Sequence, residues 1–229
     1  MEIQWLGHAA FRIGMAGTTI LVDPFLTGNG SCPPDIEESF GKIDLIAVTH
    51  GHGDHVGDTV RLARDHDATV VAIAEVADWM MEQGIEKRHG MNFGGTATFG
   101  EVSISMVAAW HSSSIGSNGD KHYMGAAAGF VIKSGQWSVY HAGDTDIFSD
   151  MALIQRIHRP NVGLIPIGDN FTMGPETAAL ACNELLDLDV VVPMHFATFP
   201  VLVQDAEGFK GQVTRGAVKV LKPGETLTL

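Results

Sequence analysis

The chain has little cysteine: its 229 residues include two, Cys32 and Cys182. Two are too few for a disulfide framework, and neither has a second Cys or a His at ligand spacing. Both read as plain residues of a protein kept in a reducing compartment. Positive charge is also scarce. Fourteen Lys and Arg stand against 27 Asp and Glu, a formal net charge of −13, and the basic residues do not cluster. A nucleic-acid binder shows a basic footprint, so nucleic acid is not expected as a partner. No apolar run approaches the roughly 18 residues of a membrane span, which argues against a membrane partner. At the N-terminus, Met1-Glu2-Ile3-Gln4-Trp5 shows no basic region followed by an apolar one. That predicts a cytoplasmic rather than a secreted protein. Low-complexity tracts and clean linkers are missing as well, so one domain over residues 1–229 is expected.

What is present alternates. Apolar runs predict strands at residues 3–6, 19–22, 45–49, 69–73, 102–107, 129–132, 137–141, 162–167 and 190–194. Helical periodicity predicts helices at 58–64, 76–83, 147–158, 175–186 and 205–212. Gly84 should close the second of these. Pro175 suits the first turn of the fourth, behind Thr172 or Gly174 as its cap. Such a pattern implies sheets covered by helices. A faint division into halves falls near residues 115–125. Residues 27–40 and 112–121 fit neither period and read as irregular loops, either lids or plain connections. Trp79-Met80-Met81, at helical spacing, read as core.

Chemistry concentrates in Thr49-His50-Gly51-His52-Gly53-Asp54-His55-Val56-Gly57-Asp58, directly after the apolar run Leu45-Ile46-Ala47-Val48. Three histidines and an aspartate within six residues offer the N and O donors that Zn, Mn and Fe ions accept. Gly51 and Gly53 are expected to allow a tight path with side chains converging from both sides. One loop cannot close a two-metal site, so partners must come from elsewhere. His8, His111, Asp144 and His195 each lie at the end of an apolar strand-like run, where sites form in sheet-based folds.

This order of motifs resembles the metallo-β-lactamase superfamily over nearly the whole chain: H-x-H-x-D-H, a lone His, Gly-Asp-Thr, then a late His. Trp5-Leu6-Gly7-His8-Ala9-Ala10-Phe11, Ala109-Trp110-His111-Ser112-Ser113-Ser114, His141-Ala142-Gly143-Asp144-Thr145, Phe171-Thr172-Met173-Gly174-Pro175 and Pro193-Met194-His195-Phe196 narrow it. They resemble a family of small prokaryotic metal-dependent hydrolases related to ascorbate-6-phosphate lactonase. The resemblance implies an α/β fold, an αββα sandwich of two mixed sheets flanked by helices. It implies that His50, His52 and His111 bind one metal, that Asp54, His55 and His195 bind a second, and that Asp144 bridges them. It also implies a bridging hydroxide as nucleophile, with Asp54 orienting it or carrying its proton. His52 stands where the oxygen-reducing diiron branch often has Glu, and Asp144 where a thiolate would mark a lactamase-like site.

The expected protein is therefore a binuclear metal-dependent hydrolase of an ester-like bond, a carboxylic ester or lactone, in a small molecule. Phosphodiester cleavage is the runner-up, and a non-catalytic metal-bearing sensor is the reading from another class. Two divalent ions per chain are expected, Zn first, with Mn, Fe and Ni accepted by the same donors. A homo-oligomer is left open. His8 is divided evenly between a catalytic group facing substrate and a histidine hydrogen-bonded to backbone. His141 reads as support for a ligand. Asp23 reads first as the start of an Asp-Pro turn, with a part in fixing the site as the alternative. Asp169 and Asn170 read as caps of the Pro175 helix before substrate contacts. His66, His89, His122 and His158 read as surface residues.

Overall fold

A computed structural model of the chain describes residues 1–116 and 119–229. The N-terminal sheet begins as a meander: β1 (Glu2–Gly7), β2 (Ala10–Met15) and β3 (Thr18–Val22) run antiparallel, and β4 (Leu45–Val48), β5 (Thr69–Ile73) and β6 (Arg88–Met91) continue it in parallel. The C-terminal sheet repeats the scheme. β7 (Thr96–Phe99) and β8 (Val102–Ala108) are antiparallel; a short hairpin, β9 (Ser114–Ile115) with β10 (His122–Tyr123), intervenes. β11 (Ala128–Ser134) and β12 (Trp137–His141) follow antiparallel, and β13 (Val162–Pro166), β14 (Val190–Met194) and β15 (Ala217–Val218) follow parallel. The last strand, β16 (Thr226–Thr228), returns to pair with β1. Each sheet thus has seven strands.

The central parallel strands are buried on both faces, and their sequences show it: Leu45-Ile46-Ala47-Val48 is fully buried, as is Val162–Pro166. Strands covered on both faces read as continuous apolar runs rather than alternations. Pro193 is tolerated in β14 because β15 reaches only Val190 and Val191, leaving its missing N–H without a ladder partner to serve. Helices α2 (Thr59–His66) and α3 (Ala74–Glu82) pack on the N-terminal sheet. α4 (Met151–His158) and α5 (Pro175–Leu180), with α6 (Glu207–Gln212) against α5, belong to the C-terminal half. The αββα sandwich of two mixed sheets is as expected. One apolar cluster runs through both sheets, with Trp5 of β1 stacked on Phe196 beyond β14 at 5.2 Å.

Several local expectations are corrected. The halves divide at 91–96, where β6 ends one sheet and β7 begins the other, not near 115–125; that stretch is a connection inside the C-terminal sheet. Residues 117 and 118, within the expected loop 112–121, lie outside the described residues. β2, β6 and β7 are not foreseen, because Gly14, Gly90 and the alternating Thr96-Ala97-Thr98-Phe99 break the apolar run; nor are β9, β10, β15 and β16, which are too short to show a pattern. α4 starts four residues late, after a segment without regular structure in which Asp146 N–H donates to Trp110 O at 3.2 Å. Gly174, not Thr172, is the N-cap of α5, with Pro175 at the first position; no side chain caps it, so Asp169 and Asn170 are not caps. Met80 is core, but Met81 is 57% exposed. Gly84 does close α3, at φ 82. Residues 27–40 are irregular apart from a short 3-10 turn at Ile36–Ser39. They are pinned to α2 by Asp58, which accepts from Leu26 N, Thr27 N and Thr27 Oγ1, and by a two-pronged Arg61–Glu37 pair.

Candidate metal centre

The site lies where the two sheets meet at the carboxyl ends of β3, β4, β8, β12 and β14, the edge at which α/β sheets place ligands. Cross-sheet hydrogen bonds stitch this edge. His195 N–H donates to His8 O at 3.0 Å and Ala128 N–H to Thr49 O at 3.0 Å; within the N-terminal sheet, Trp5 Nε1–H also donates to His8 O, at 2.9 Å. His8, Asp23 and His195, each just past a strand, hold left-handed backbone at φ 56, 47 and 58. Non-glycine residues adopt that conformation only where the surroundings impose it, and such residues gather at functional sites.

The motif after β4 folds as an extended turn into α1 (Gly53–Val56), a single helical turn. Successive residues of a helix point about 100° apart, which sends Asp54 towards the cleft and His55 inward. A Cβ on Gly51 would sit 2.3 Å from Met124 Cβ, while one on Gly53 would meet nothing within 4 Å. Gly57, at φ 44, is the second obligatory glycine, its absent Cβ leaving room for Pro24 O. The expectation for Gly51 therefore holds, and the one for Gly53 does not.

The four donors of the motif and the three expected from elsewhere, His111, Asp144 and His195, come together. His50 Nε2 and His52 Nδ1 lie 3.0 Å apart, and with His111 they form one group whose donor atoms all fall within 4.8 Å of one another. Asp54, His55 and His195 form another, which also contains His8. Asp144 Oδ2 lies between the groups, 3.0 Å from His195 Nε2, 3.2 Å from His55 Nε2 and 3.7 Å from His111 Nε2. His66, His89, His122 and His158 join no such group among the described residues.

The tautomers follow from the neighbours. Asp23, fully buried, accepts Thr49 N–H at 2.7 Å, Thr49 Oγ1–H at 2.6 Å and His55 Nδ1–H at 2.8 Å. Because the Thr49 hydroxyl has spent its one hydrogen on the carboxylate, it must accept from His50 Nδ1, 3.0 Å away. Asp23 thus leaves Nε2 of His55, and through Thr49 that of His50, as lone pairs aimed at the centre. Carboxylates that orient ligating histidines in this way typically contribute 10–100-fold to metal affinity. Asp23→Asn removes one of the two acceptor oxygens. Chelator competition should show affinity falling by about 10–100-fold, whereas an unchanged midpoint would mean that Asp23 only shapes the turn. His141, fully buried in β12, takes Gly143 N–H on Nδ1 at 3.2 Å and donates from Nε2 to Ala9 O at 2.9 Å. It fixes the backbone beside Asp144 and beside His8.

Burial holds His50, His52 and His111 below the usual histidine range, the neutral form that binds metals. His55 is the opposite case. Burial favours its neutral form, but Asp144 and Asp23 outweigh it and raise the ring well above its ordinary value. Asp144 itself stays well below the carboxylate range, since His195 and His55 overcome its burial. Two buried carboxylates around one imidazole demand a cation there. A divalent ion meets that demand and takes Nε2 as a ligand. Asp144 Oδ1, His55 Nε2 and His195 Nδ1 are buried without a well-aligned hydrogen-bond partner among the described residues. Such atoms are costly to leave unpaired, and the donor set fits metal ions.

His8 is fully buried. Its Nε2 lies 3.2 Å from Asp54 Oδ2, its ring centroid 3.9 Å from that of His195, and Phe199 packs edge-on at 5.3 Å. Burial pushes His8 down to about 4 despite the Asp54 partner, so the neutral ring donates Nε2–H to an ionised Asp54. Asp54 itself remains below its ordinary range because the His8 bond and nearby His55 outweigh its burial. The cleft of about 300 Å³ is lined by His52, Asp54, His111, Ser112, Asp144, Phe171 and His195. His8 is not among them; it stands behind Asp54.

The two-sheet scaffold and this imidazole–carboxylate cluster define a metal-dependent hydrolase centre. Residues 2–195 match the family described as the Beta-lactamase superfamily domain. The chain is 48% identical over 225 residues to a UPF0173 metal-dependent hydrolase of Brucella abortus (strain S19), covering 96% of this chain and 95% of that one. It is 46% identical over 229 residues to another from Azorhizobium caulinodans, covering 97% of each. Among solved structures it is similar to Igni18, a metallo hydrolase from the hyperthermophilic archaeon Ignicoccus hospitalis. That match has 35% identity and a TM-score of 0.89, and covers 99% of this chain and 97% of Igni18. The chain belongs to the beta-lactamase superfamily and, within it, to the UPF0173 metal-dependent hydrolases. Among the described residues no helix is long and apolar enough to cross a membrane.

Proposed function

We propose that the protein is a cytoplasmic hydrolase of carboxylic esters or lactones in small molecules, working with two divalent ions, Zn first among them. His50, His52 and His111 would hold one ion, and Asp54, His55 and His195 the other, with Asp144 shared. When bound, such ions make water nucleophilic near neutral pH and polarise the scissile oxygen. The observation that carries this reading is the convergence of three imidazoles on Asp144 Oδ2 at the floor of the cleft.

The chain's own part follows from position. Asp54, 34% exposed at its side chain, is the carboxylate placed to take a proton and return it to the leaving group. His8 holds that carboxylate from behind and keeps it ionised. The described lining of the cleft contains no Lys or Arg, so beyond the ions themselves no cationic side chain would recognise an anionic group, which favours a neutral ester over a phosphodiester. A panel of aryl esters, lactones and bis-aryl phosphodiesters, each with added Zn or Mn, separates the readings. Turnover of esters and lactones is expected, and activity confined to phosphodiesters would overturn the proposal.

A further inference from the structure

Phe171 lines the cleft and is nevertheless 55% exposed. It is presented by a turn in which Asp169 and Asn170 both hold left-handed backbone, at φ 60 and 49. That turn is anchored: Asp169 N–H donates to Met173 O at 3.1 Å, and Met173 N–H to Thr145 O at 3.0 Å. Trp110, 68% exposed and adjacent to His111, is tied to the same place. Its N–H donates to Thr145 Oγ1 at 2.9 Å, and its carbonyl accepts Asp146 N–H at 3.2 Å. The backbones that carry these two solvent-exposed aromatic residues are therefore fastened to the residues that directly follow Asp144; Phe171 itself lines the cleft, and Trp110 precedes the lining residue His111 in the chain. On the His8 side, Phe199 stacks near Phe25 at 6.4 Å.

We propose that Phe171 and Trp110 form the acyl-binding rim of this centre, and that its substrate is an uncharged ester or lactone carrying an aromatic ring. The inference rests on the ester reading above and adds the substrate class. A cleft of about 300 Å³ is at the small end for ligand pockets and holds a reacting group plus little more. The rest of the substrate must lie over the rim, where flat aromatic side chains offer stacking surface and the lining offers no cation.

The probes are phenylacetohydroxamate and acetohydroxamate, which share a chelating group and differ by the phenyl ring. Calorimetric titration of the metal-loaded protein reads their binding without turnover. The phenyl probe is expected to bind roughly tenfold or more tightly than the methyl one. Phe171→Ala should remove most of that difference, Trp110→Ala a share of it, and Phe171→Leu less than Phe171→Ala. Affinity for acetohydroxamate should move by no more than about twofold. Equal affinities for the parent protein, no binding of either probe, or a ring preference that survives both alanine variants overturns the rim. A ring preference in binding with no hydrolysis of any ester would leave the rim standing and remove the ester reading alone.

Discussion

His8→Ala is expected to lower kcat and kcat/KM together by roughly 10²–10⁴-fold, the range for loss of a working acid–base group. The expectation comes from the pair at 3.2 Å between His8 Nε2 and Asp54 Oδ2. Without that donor the carboxylate loses its fixed orientation and one of the interactions that keep it ionised. The imidazole is buried and does not line the cleft, so its effect travels through Asp54 as a positioning residue. His8→Gln, whose amide can donate along a similar line, should recover a large part of the rate. The acid limb of the kcat/KM profile should move upward in His8→Ala, because Asp54 becomes easier to protonate; a merely structural histidine would leave that limb in place. Loss of a metal in His8→Ala would instead make His8 a ligand or the direct support of one, in keeping with its place in the four-donor group and its bond to Asp54. Lost stability with kcat intact would make it structural.

Asp144→Asn should have the second large effect. Three imidazoles face one oxygen of this carboxylate, and the histidines at 55 and 195 hold it ionised. An amide of the same shape withdraws the charge and can turn an NH₂ towards the centre. Metal content should fall, and ester hydrolysis should drop by at least about 10³-fold, because Lewis-acid stabilisation contributes several kcal/mol. The variant should still fold, since Asn fills the volume of Asp. Full metal content with near-parent activity would remove Asp144 from its shared position.

Much of this site was legible because its residues share one context. His50, His111, Asp144 and His195 each follow an apolar run that had to be a strand, and strand ends of one sheet edge meet in space. Asp23 has the same context, directly after Thr18–Val22. Its role was masked by Pro24, which offered a sufficient local explanation. What ties it to the site is the pairing with Thr49 and His55, 26 and 32 residues away, and no local pattern encodes that. Phe171 was hidden for a related reason, since sequence alone does not tell an exposed aromatic residue from a core one. Of the strands that escaped notice, β2, β6 and β7 are those where Gly or alternation replaces an apolar run, while β9, β10, β15 and β16 are only two or three residues long. Their place in the sheets is set by tertiary pairing rather than local propensity.

The central claim is a centre of two metal ions, and elemental analysis of protein purified without chelator tests it most directly. About two divalent ions per chain are expected, falling to about one in His55→Ala and towards none on acidification, because the ligating imidazoles must be neutral. A reproducible value near one ion per chain, unchanged in His55→Ala, would contradict the account.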